Sequence, residues 1–335
     1  MKRIFVTGGA GYIGSHTCKL LAHSGYEPVC YDNLSTGHED FVKWGPFERG
    51  DLLDCDKLKK VLKSYAPVAV IHFAACSYVG ESVTKPFKYY KNNVGGTLCL
   101  LEAMRESGQS RIVFSSSCAI YGIPETDSIT ESCPQMPISP YGQTKLIIER
   151  ILSDLAARGE IRSMALRYFN AAGADPECEI GERHDPETHL IPLAIRSAAD
   201  QAPLKIFGTD FPTPDGTAIR DYIHVEDLAR AHLLAVEHLV NDGVSDFVNL
   251  GTGQGTSVKE ILFALNDLGL NINDVPAPRR AGDPARLVAD ASKARKTLGW
   301  RAEYQDIRNI LSTAVNWHKR DSRSSEDSGI REGHG

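Results

Sequence analysis

The amino terminus places a short apolar run directly before a glycine-rich turn. Residues 4–6 are Ile-Phe-Val, and the glycines after them fit GxxGxxG through Gly8, Gly11 and Gly14, or GxGxxG if Gly9 replaces Gly8. A strand entering a helix through such glycines allows a tight turn and close backbone approach to a pyrophosphate. The helix amino terminus then offers free N–H groups to the phosphates. A plain strand–helix turn also uses glycine, but this position predicts a dinucleotide site.

Apolar, β-rich runs alternate with helical patterns through the first half of the chain. The predicted strands are residues 4–6, 29–31, 68–73, 111–115 and 164–169, and the predicted helices are about 12–23, 86–107 and 141–157. A continuous apolar run such as residues 68–73 is typical of a buried parallel strand. The alternation predicts an α/β fold with a Rossmann-type doubly wound parallel sheet, whose ligands lie at the carboxyl ends of the strands.

The alternation loosens after Phe169, where residues rich in Gly, Pro, Asp and Glu follow. A helix at about 225–240 and a strand at 247–250 then return to the first pattern. We predict a Rossmann domain from residues 1–169 with about 222–250, and a smaller mixed α/β substrate-binding domain from about 170–221 with 251–318. The Ser/Gly/charge-rich tail, residues 320–335, lacks periodicity and is predicted to be disordered.

Composition excludes several classes of function. The net charge of −6 gives no support for nucleic-acid binding, although a few arginines could still bind an anionic substrate. No apolar run approaches the roughly 20 residues that span a bilayer. The eight cysteines form no CxxC pair and are predicted to be reduced, in a cytoplasmic protein. The eleven histidines show no metal-binding spacing, so no metal site is predicted.

Asp32 closes the second predicted strand, 18 residues past Gly14. A carboxylate there can accept hydrogen bonds from the ribose hydroxyls of a dinucleotide, and it would repel a 2′-phosphate. Asp32 therefore favours NAD over NADP, although a turn residue before Asn33 would look the same in sequence.

The segment from Ser139 to Lys145 carries the candidate catalytic groups. Ser139 suits a helix N-cap and Pro140 the first turn, so Tyr141 and Lys145 are predicted four residues apart on one helical face. A tyrosine hydroxyl, with a pKa near ~10, is a poor base unless positive charge favours the phenolate. An ammonium group and a nicotinamide nearby would make Tyr141 a candidate general base. An ordinary amphipathic helix start could also give this spacing.

A run of serines lies at the end of the strand before this helix. Ser117 lies 24 residues before Tyr141, where a strand's carboxyl end faces the predicted cofactor crevice. We predict that Ser117 hydrogen-bonds the reacting oxygen. Serines in such a run can also satisfy only the backbone of a turn, which is our interpretation of Ser115.

With these residues in order, the chain resembles the extended short-chain dehydrogenase/reductase family. Within it, the chain is similar to the UDP-glucose 4-epimerases over about residues 3–318. The segments that carry the likeness are His72-Phe73-Ala74-Ala75, Val79-Gly80-Glu81-Ser82-Val83, Tyr89-Tyr90-Lys91-Asn92-Asn93-Val94, Leu166-Arg167-Tyr168-Phe169-Asn170 and, most specific, the DGTxxRDYIHV segment at residues 215–225.

The resemblance implies roles for further residues. The implied NAD contacts, with the glycine turn, are Gly8, Gly11, Tyr12, Ile13, Gly14, Asp32, Asn33, Leu34, Ser35, Thr36, Gly37, Asp51, Leu52, Phe73, Ala74, Ala75, Asn92, Ser117, Tyr141, Lys145 and Phe169. The implied substrate contacts are Ser117, Tyr141, Asn170, Leu190, Arg220, Arg280, Asp283 and Leu287. Arg220 and Arg280 also suit a diphosphate on chemical grounds, because guanidinium binds phosphate with two hydrogen bonds.

The resemblance implies an isomerase with tightly bound NAD that interconverts UDP-galactose and UDP-glucose. Tyr141 would take the proton of the sugar 4-hydroxyl while hydride passes from C4 to NAD, and the 4-keto sugar would receive it back on its other face. Epimerisation of another nucleotide sugar, such as UDP-glucuronate, is one alternative. A catalytically inactive NAD-binding protein and a dehydrogenase that releases NADH are the others.

Three positions differ from patterns in related enzymes. Sugar-nucleotide 4,6-dehydratases carry an Asp-Glu pair where Cys118 and Ala119 follow Ser117, which disfavours dehydration. Ser77 stands where some members have a lysine near the cofactor, which leaves that contact open. Leu287 is intermediate between the tyrosine and the smaller residues found in the family, so weaker activity on UDP-N-acetylhexosamines is also predicted.

The resemblance also implies a homodimer, formed through the helices at about 86–107 and 141–157 of each subunit as a four-helix bundle. The same long helices could equally be crossovers that pack only on the sheet.

Overall fold

The computed structural model describes residues 1–280 and 282–331, with side chains described through Asp321. Within these residues the strands are β1 (Lys2–Thr7), β2 (Tyr26–Asp32), β3 (Phe47–Arg49), β4 (Ala69–His72), β5 (Arg111–Ser115), β6 (Arg162–Tyr168), β7 (Asn170–Ala172), β8 (Leu204–Phe207), β9 (Ile219–His224), β10 (Asp246–Leu250), β11 (Gly255–Ser257), β12 (Asp274–Ala277) and β13 (Arg286–Leu287).

The α-helices connect these strands on both faces of the main sheet and around the smaller ones. They are α1 (Tyr12–His23), α2 (Cys55–Tyr65), α3 (Val79–Thr84), α4 (Pro86–Tyr89), α5 (Gly96–Glu106), α6 (Pro140–Ala157), α7 (Leu190–Ala199), α8 (Val225–Val240), α9 (Val258–Asp267), α10 (Ser292–Leu298) and α11 (Ile307–Arg331). The helix predicted at 86–107 is a continuous helical run in which a π-helical stretch, Tyr90–Gly95, joins α4 to α5.

The predicted doubly wound parallel sheet is confirmed. Its strand order is β10-β6-β5-β4-β1-β2-β3, and every neighbouring pair is parallel. β2 lies on one side of β1 and β4 on the other, so the direction of winding reverses beside β1. In open sheets this reversal leaves a crevice at the carboxyl ends of the strands, which is where a dinucleotide binds.

The side chains of each strand alternate between two buried helical layers. Ile4 and Val6 of β1 pack in the cluster that includes α1 and α8, whereas Phe5 packs in the cluster that includes α2, α5 and α6. All three are fully buried. This burial on both faces explains why the strands of this sheet are continuous apolar runs.

Smaller sheets stand beyond the carboxyl edge of the main sheet. β9 pairs with β7, β11 and β13, while β8 pairs with β12. A third apolar cluster joins β7, β8 and β9 to α7, α9 and α11. The predicted two-domain division stays a prediction. β9 crosses its boundary at residues 221 and 222, so one strand contributes to both predicted parts.

The carboxyl-terminal tail departs from the prediction. Disorder was expected from residue 320, but α11 continues through Arg331, so the prediction is wrong for residues 320–331. Extending an existing helix adds a hydrogen bond per residue without new nucleation, and this does not require apolar periodicity. Arg183 also contacts Asp321, and Arg320 donates to the carbonyl of Glu177. Residues 332–335 of the predicted tail lie outside the described residues.

The cysteines also depart from the prediction in one place. Cys55, which begins α2, forms a disulfide with Cys99 of α5, and their Cα atoms are 5.1 Å apart. Sequence spacing could not reveal this pair because it forms where the two helices pack side by side on one face of the sheet. The other six cysteines are free thiols, as predicted.

None of the described helices combines the length and the apolar character required to cross a bilayer.

Candidate active site

The glycine turn brings the end of β1, the start of α1 and the loop after β4 into backbone contact. A Cβ atom on Gly8 would lie 2.6 Å from the amide nitrogen of Ala74, and one on Gly14 would collide with the carbonyl oxygen of Gly8. Gly8 also has a φ of +74°, which disfavours other residues. Gly11 caps α1 without a side-chain hydrogen bond, so the first N–H groups stay available for an anion. This arrangement fits the pyrophosphate of a dinucleotide.

The side chains of Tyr12 and Ile13 pack inside the protein and do not point into the crevice. The Tyr12 hydroxyl donates to the carbonyl oxygen of Gly173 at 2.6 Å, and Ile13 packs against the core cluster on the α1 side of the sheet. Their contribution to the predicted pyrophosphate site is therefore the backbone N–H groups in the first turn of α1.

Asp32 is buried at the carboxyl end of β2, beside the glycine turn. Its carboxylate accepts from the backbone N–H of Ala10 at 3.0 Å and from that of Leu34 at 2.8 Å. Burial raises the pKa of Asp32, and these hydrogen bonds oppose the rise. Asp32 therefore shapes the turn that follows it, and its contact with a ribose remains a prediction.

The loops after β2 and β3 lie together at the same edge. Asn33 donates to the Asp51 carboxylate at 2.8 Å, and Tyr31 donates to the Asp51 carbonyl at 2.9 Å. Leu52 is buried, and a Cβ atom on Gly96 would press against it. The other predicted cofactor residues of this loop are half-buried or exposed: Leu34, Ser35, Thr36 and Gly37.

The loop after β4 completes this side of the crevice. The N–H groups of Phe73 and Ala74 both donate to the Thr7 carbonyl, at 3.0 and 3.1 Å, which binds the loop to β1. The Phe73 ring packs 4.4 Å from the ring of His232, centroid to centroid. Ala75 follows them in the same half-buried loop.

Asn93 connects this loop to α6, the helix that carries the predicted catalytic residues Tyr141 and Lys145. The sequence alone did not indicate this role for Asn93. Its buried amide donates to the carbonyl of Cys76 and to the hydroxyl of Thr144, and it accepts from Asn92. The predicted cofactor residue Asn92 is thereby fixed next to the helix that carries Tyr141.

The catalytic helix begins as the sequence predicts. The Ser139 hydroxyl accepts from the Gly142 N–H at 3.1 Å, and Pro140 opens α6. Tyr141 and Lys145 follow one turn apart and both are buried. Ser117 caps the short 3₁₀ turn Cys118–Tyr121 after β5, and its hydroxyl is near enough to the Tyr141 phenol to lower the pKa of that phenol. The structure therefore brings together the three predicted catalytic side chains.

The electrostatics of this group are set mainly by burial. Burial raises the pKa of Tyr141, and the hydrogen bond with Ser117 lowers it. Burial also lowers the pKa of Lys145 to about 7, against the attraction of Glu149. The Lys145 ammonium donates to the Ser115 carbonyl at 2.7 Å and lies 5.7 Å from the centroid of the Tyr141 ring. Further positive charge beside the phenol would therefore be needed to make Tyr141 a base at neutral pH.

The predicted substrate residues of the second part meet along β9 and β13. Arg220 pairs in register with Leu287, and its guanidinium contacts the Asp283 carboxylate at 2.5 Å. The Asp283 N–H donates to the carbonyl of Arg280, so both belong to one turn. The Arg280 guanidinium packs 4.2 Å from the Phe207 ring centroid.

Leu287 connects this edge to the catalytic group. It packs in a small apolar cluster with buried Phe169 and half-buried Cys118, the neighbour of Ser117. Asn170 begins β7 directly after Phe169, and Leu190 begins α7. The crevice thus has a glycine turn on one side, a buried tyrosine in the middle and an arginine-bearing edge opposite.

A family model described as "NAD dependent epimerase/dehydratase family" matches residues 4–251. This chain belongs to that family. A UDP-glucose 4-epimerase of Rhizobium meliloti is 54% identical over 319 residues, which are 95% of this chain and 97% of the relative.

Solved structures agree with this membership. A UDP-glucose 4-epimerase from Brucella ovis in complex with NAD has a TM-score of 0.92 and 55% identity, over 94% of this chain and 98% of that one. The UDP-Glc/GlcNAc 4-epimerase of Campylobacter jejuni has a TM-score of 0.83 and 40% identity, over 96% and 100%. For a member of this family, NAD is the dinucleotide that the glycine turn would hold.

Sequence reasoning missed a buried network directly behind the catalytic group. Glu149 lies one turn after Lys145 and forms an ion pair with Arg167, both almost fully buried, with N–O distances of 2.5 to 3.1 Å. Glu149 also accepts from Ser116, and Arg167 donates to Tyr121. The i, i+4 spacing of Lys145 and Glu149 on the catalytic helix was the available signal.

We expect Glu149→Gln to move the basic limb of the pH–rate profile to lower pH, by about one unit. The negative charge of Glu149 raises the pKa of Lys145, so its loss lets Lys145 give up its proton at a lower pH. Turnover measured from pH 6 to 10 tests this, with thermal unfolding showing that the variant is folded. Asp154→Asn, an exposed change on the same helix, should leave the limb in place. An unchanged limb in Glu149→Gln would exclude this role.

Proposed function

We propose that this chain is an NAD-dependent isomerase that interconverts UDP-galactose and UDP-glucose. The observation that carries the proposal is the buried pair of Ser117 and Tyr141, which stands between a dinucleotide turn and an edge that carries Arg220. The relatives named UDP-glucose 4-epimerase, at up to 55% identity over nearly the whole chain, support the choice of substrate.

Tyr141 would exchange the proton of the sugar 4-hydroxyl. Its phenol oxygen takes the proton as C4 is oxidised and gives it back as C4 is reduced, so one group serves both half-reactions. The Ser117 hydroxyl orients the reacting oxygen, and the Lys145 ammonium adds positive charge nearby. NAD, when bound, supplies the hydride acceptor and the positive charge that further favours the phenolate. No net oxidation results.

Charge and position indicate which residues would bind the nucleotide part of the substrate. Arg220 and Arg280 would bind the UDP diphosphate, because guanidinium pairs with phosphate through two hydrogen bonds. Asp283 contacts Arg220 and would orient it, and Asn170 and Leu190 would line the nucleotide. Holding the nucleotide while leaving the sugar free allows the 4-keto sugar to present both faces.

The two residues after Ser117 offer no suitable acid for a dehydration reaction. The residues after Ser117 are Cys118 and Ala119, and burial raises the pKa of the Cys118 thiol to about 12. A thiol with that pKa is a poor donor for expelling a hydroxyl group.

We expect the purified protein to convert UDP-galactose to UDP-glucose without added NAD, as followed by NMR, and without NADH accumulating. Tyr141→Phe should lower the rate by about 10² to 10⁴, because it removes the proton-transferring oxygen and leaves the ring. Tyr26→Phe, at the amino end of β2, is the matched control and should keep full activity. Conversion of UDP-glucuronate but not UDP-galactose would replace the proposed substrate. Failure with every nucleotide sugar, even with NAD supplied, would favour an inactive NAD-binding protein.

We also propose weaker activity on UDP-N-acetylhexosamines, controlled by Leu287. Leu287 is half-buried beside Phe169 and Cys118, where a larger side chain would reduce the room for an acetamido group. Leu287→Tyr should lower the ratio of UDP-N-acetylgalactosamine to UDP-galactose turnover about tenfold or more. Leu287→Met, which keeps the volume, should preserve the ratio. An unchanged ratio in the tyrosine variant would contradict the gatekeeper role.

We propose that the chain forms a homodimer through the helices at 86–107 and 141–157. Apolar side chains are exposed along the run from α3 to α5: Val83 is 63% exposed, Phe87 79% and Leu98 50%. Exposed apolar groups that share a surface indicate a protein interface more strongly than isolated ones.

Sedimentation of the protein at micromolar concentration should therefore give a dimer. Phe87→Glu should weaken it at least about tenfold, because it places a charge in an apolar contact. Phe263→Glu alters a side chain that is also exposed, at 65%, but lies on α9, and it should not change the assembly. A monomeric wild-type protein, or equal dissociation of both variants, would refute this interface.

We further propose a cytoplasmic location. The six free thiols fit a reducing compartment, and the Cys55–Cys99 disulfide is the one observation against it.

A further inference from the structure

The loop before α7 brings four potential metal ligands together. Glu182, His184, Glu187 and His189 come from one eight-residue segment, and one ligand atom of each lies within 4.8 Å of all the others. Their spacing matches no motif used to find metal sites in sequences, which is why the sequence predicted none. The irregular backbone of the loop, and not a helix or a strand, directs the four side chains to one point.

The distances among these atoms suit a tetrahedral centre. Nδ1 of His184 lies 3.2 Å from the Glu182 carboxylate and 3.7 Å from that of Glu187, and Nδ1 of His189 lies 3.6 Å from Glu187. His189 also contacts Glu182 directly. Ligands at 2.0–2.1 Å from a tetrahedral Zn²⁺ stand about 3.3 to 3.4 Å apart. Small side-chain movements would therefore place a cation between the four atoms.

The negative charge of the two carboxylates in the cluster also favours a bound cation. The side chains of Glu182 and Glu187 are only 6% and 2% exposed, and two buried carboxylates this close need positive charge between them. His184 and His189 are the basic side chains that contact these carboxylates, and a divalent cation among the four would supply the positive charge.

His184 adds a second, geometric observation. Its Nδ1 is shielded from solvent and makes no well-formed hydrogen bond, although Glu182 is 3.2 Å away. The hydroxyl of Tyr78, whose ring lies 6.1 Å from that of His184, is likewise buried without a hydrogen bond. An imidazole nitrogen without a hydrogen-bond partner, directed at two carboxylates, is suited to ligate a metal.

We propose that Glu182, His184, Glu187 and His189 bind one divalent cation of the Zn²⁺ class. Two imidazole and two carboxylate ligands suit Zn²⁺, and four protein ligands complete its tetrahedron, which is typical of a structural site. Neutral imidazoles with two ionised carboxylates balance the two positive charges of the cation.

The bound cation would fix the conformation of the loop at residues 182–189, which leads into α7. The His184 ring lies 6.3 Å from the ring of Tyr12 at the start of α1, centroid to centroid. The Glu182 carbonyl also accepts from the Trp317 indole of α11 at 3.1 Å. The loop that the cation would fix therefore contacts both α1 and α11.

A second acidic group in the described residues does not share this character. Asp175, Glu177 and Glu179 also lie close together, but the Lys19 ammonium stands among them at 2.5 to 3.0 Å and supplies the positive charge.

The test measures zinc binding to untagged, chelator-treated full-length protein by equilibrium dialysis and elemental analysis. We expect about one Zn²⁺ per chain. A His184→Gln/His189→Gln double variant should lose about 10²-fold or more in affinity. His23→Gln, at the end of α1, is the matched control and should bind as the wild type does. The readout is the metal itself, so it does not depend on the proposed enzymatic activity.

Two results would overturn the proposal: no zinc on the wild type, or equal zinc on the wild type and the double variant. If the double variant does not fold, anomalous diffraction at the zinc edge from zinc-soaked wild-type crystals decides. A peak about 2.0–2.2 Å from the four ligand atoms supports the site. A peak elsewhere, or no peak, refutes it.

Discussion

Backbone contact at the glycine turn is the constraint on which the crevice depends. Gly8 and Gly14 let β1 and α1 approach each other, and Gly8 also touches the backbone of Ala74 after β4. The same approach lets the Thr7 carbonyl accept from the loop after β4. A side chain at Gly8 would push the loop after β4 away from the end of β1, and one at Gly14 would push α1 away from the same turn. The same close approach leaves the first N–H groups of α1 free and directed at the crevice, where they can bind a phosphate.

Burial shifts the pKa values of both Tyr141 and Lys145 at the site. It raises the pKa of Tyr141 and lowers that of Lys145, so both shifts oppose the phenolate–ammonium pair that base catalysis needs. The Ser117 hydrogen bond and the Glu149 charge act in the other direction. Glu149 is itself held by Arg167, so an almost fully buried ion pair supports the protonated state of Lys145, the proposed catalytic lysine. Such a pair adds little net stability, and its location suggests that it matters for the position and charge of its neighbours.

The second half of the crevice is assembled by another buried carboxylate. Asp221 of β9 accepts from the N–H groups of Thr252 and Gly253 in the loop after β10, and from that of Ala289 just after β13. It thereby aligns β13 with β9 and sets Leu287 opposite Arg220. The DGTxxRDYIHV segment thus contains both a residue proposed to bind phosphate and the residue that fixes the edge around it.

The sequence by itself determined the parallel sheet, the dinucleotide turn and the start of the catalytic helix, because these follow from local patterns. Apolar runs, glycine spacing and the Ser139 cap act within a few residues of themselves. Tertiary structure alone decided which distant groups meet. It placed Glu149 against Arg167, joined Cys55 to Cys99 and continued α11 through a stretch without apolar periodicity. It also folded Glu182, His184, Glu187 and His189 onto one point. The first two contacts depend on how helices and strands pack together, and the last depends on an irregular loop backbone, and no local pattern of residues encodes either one.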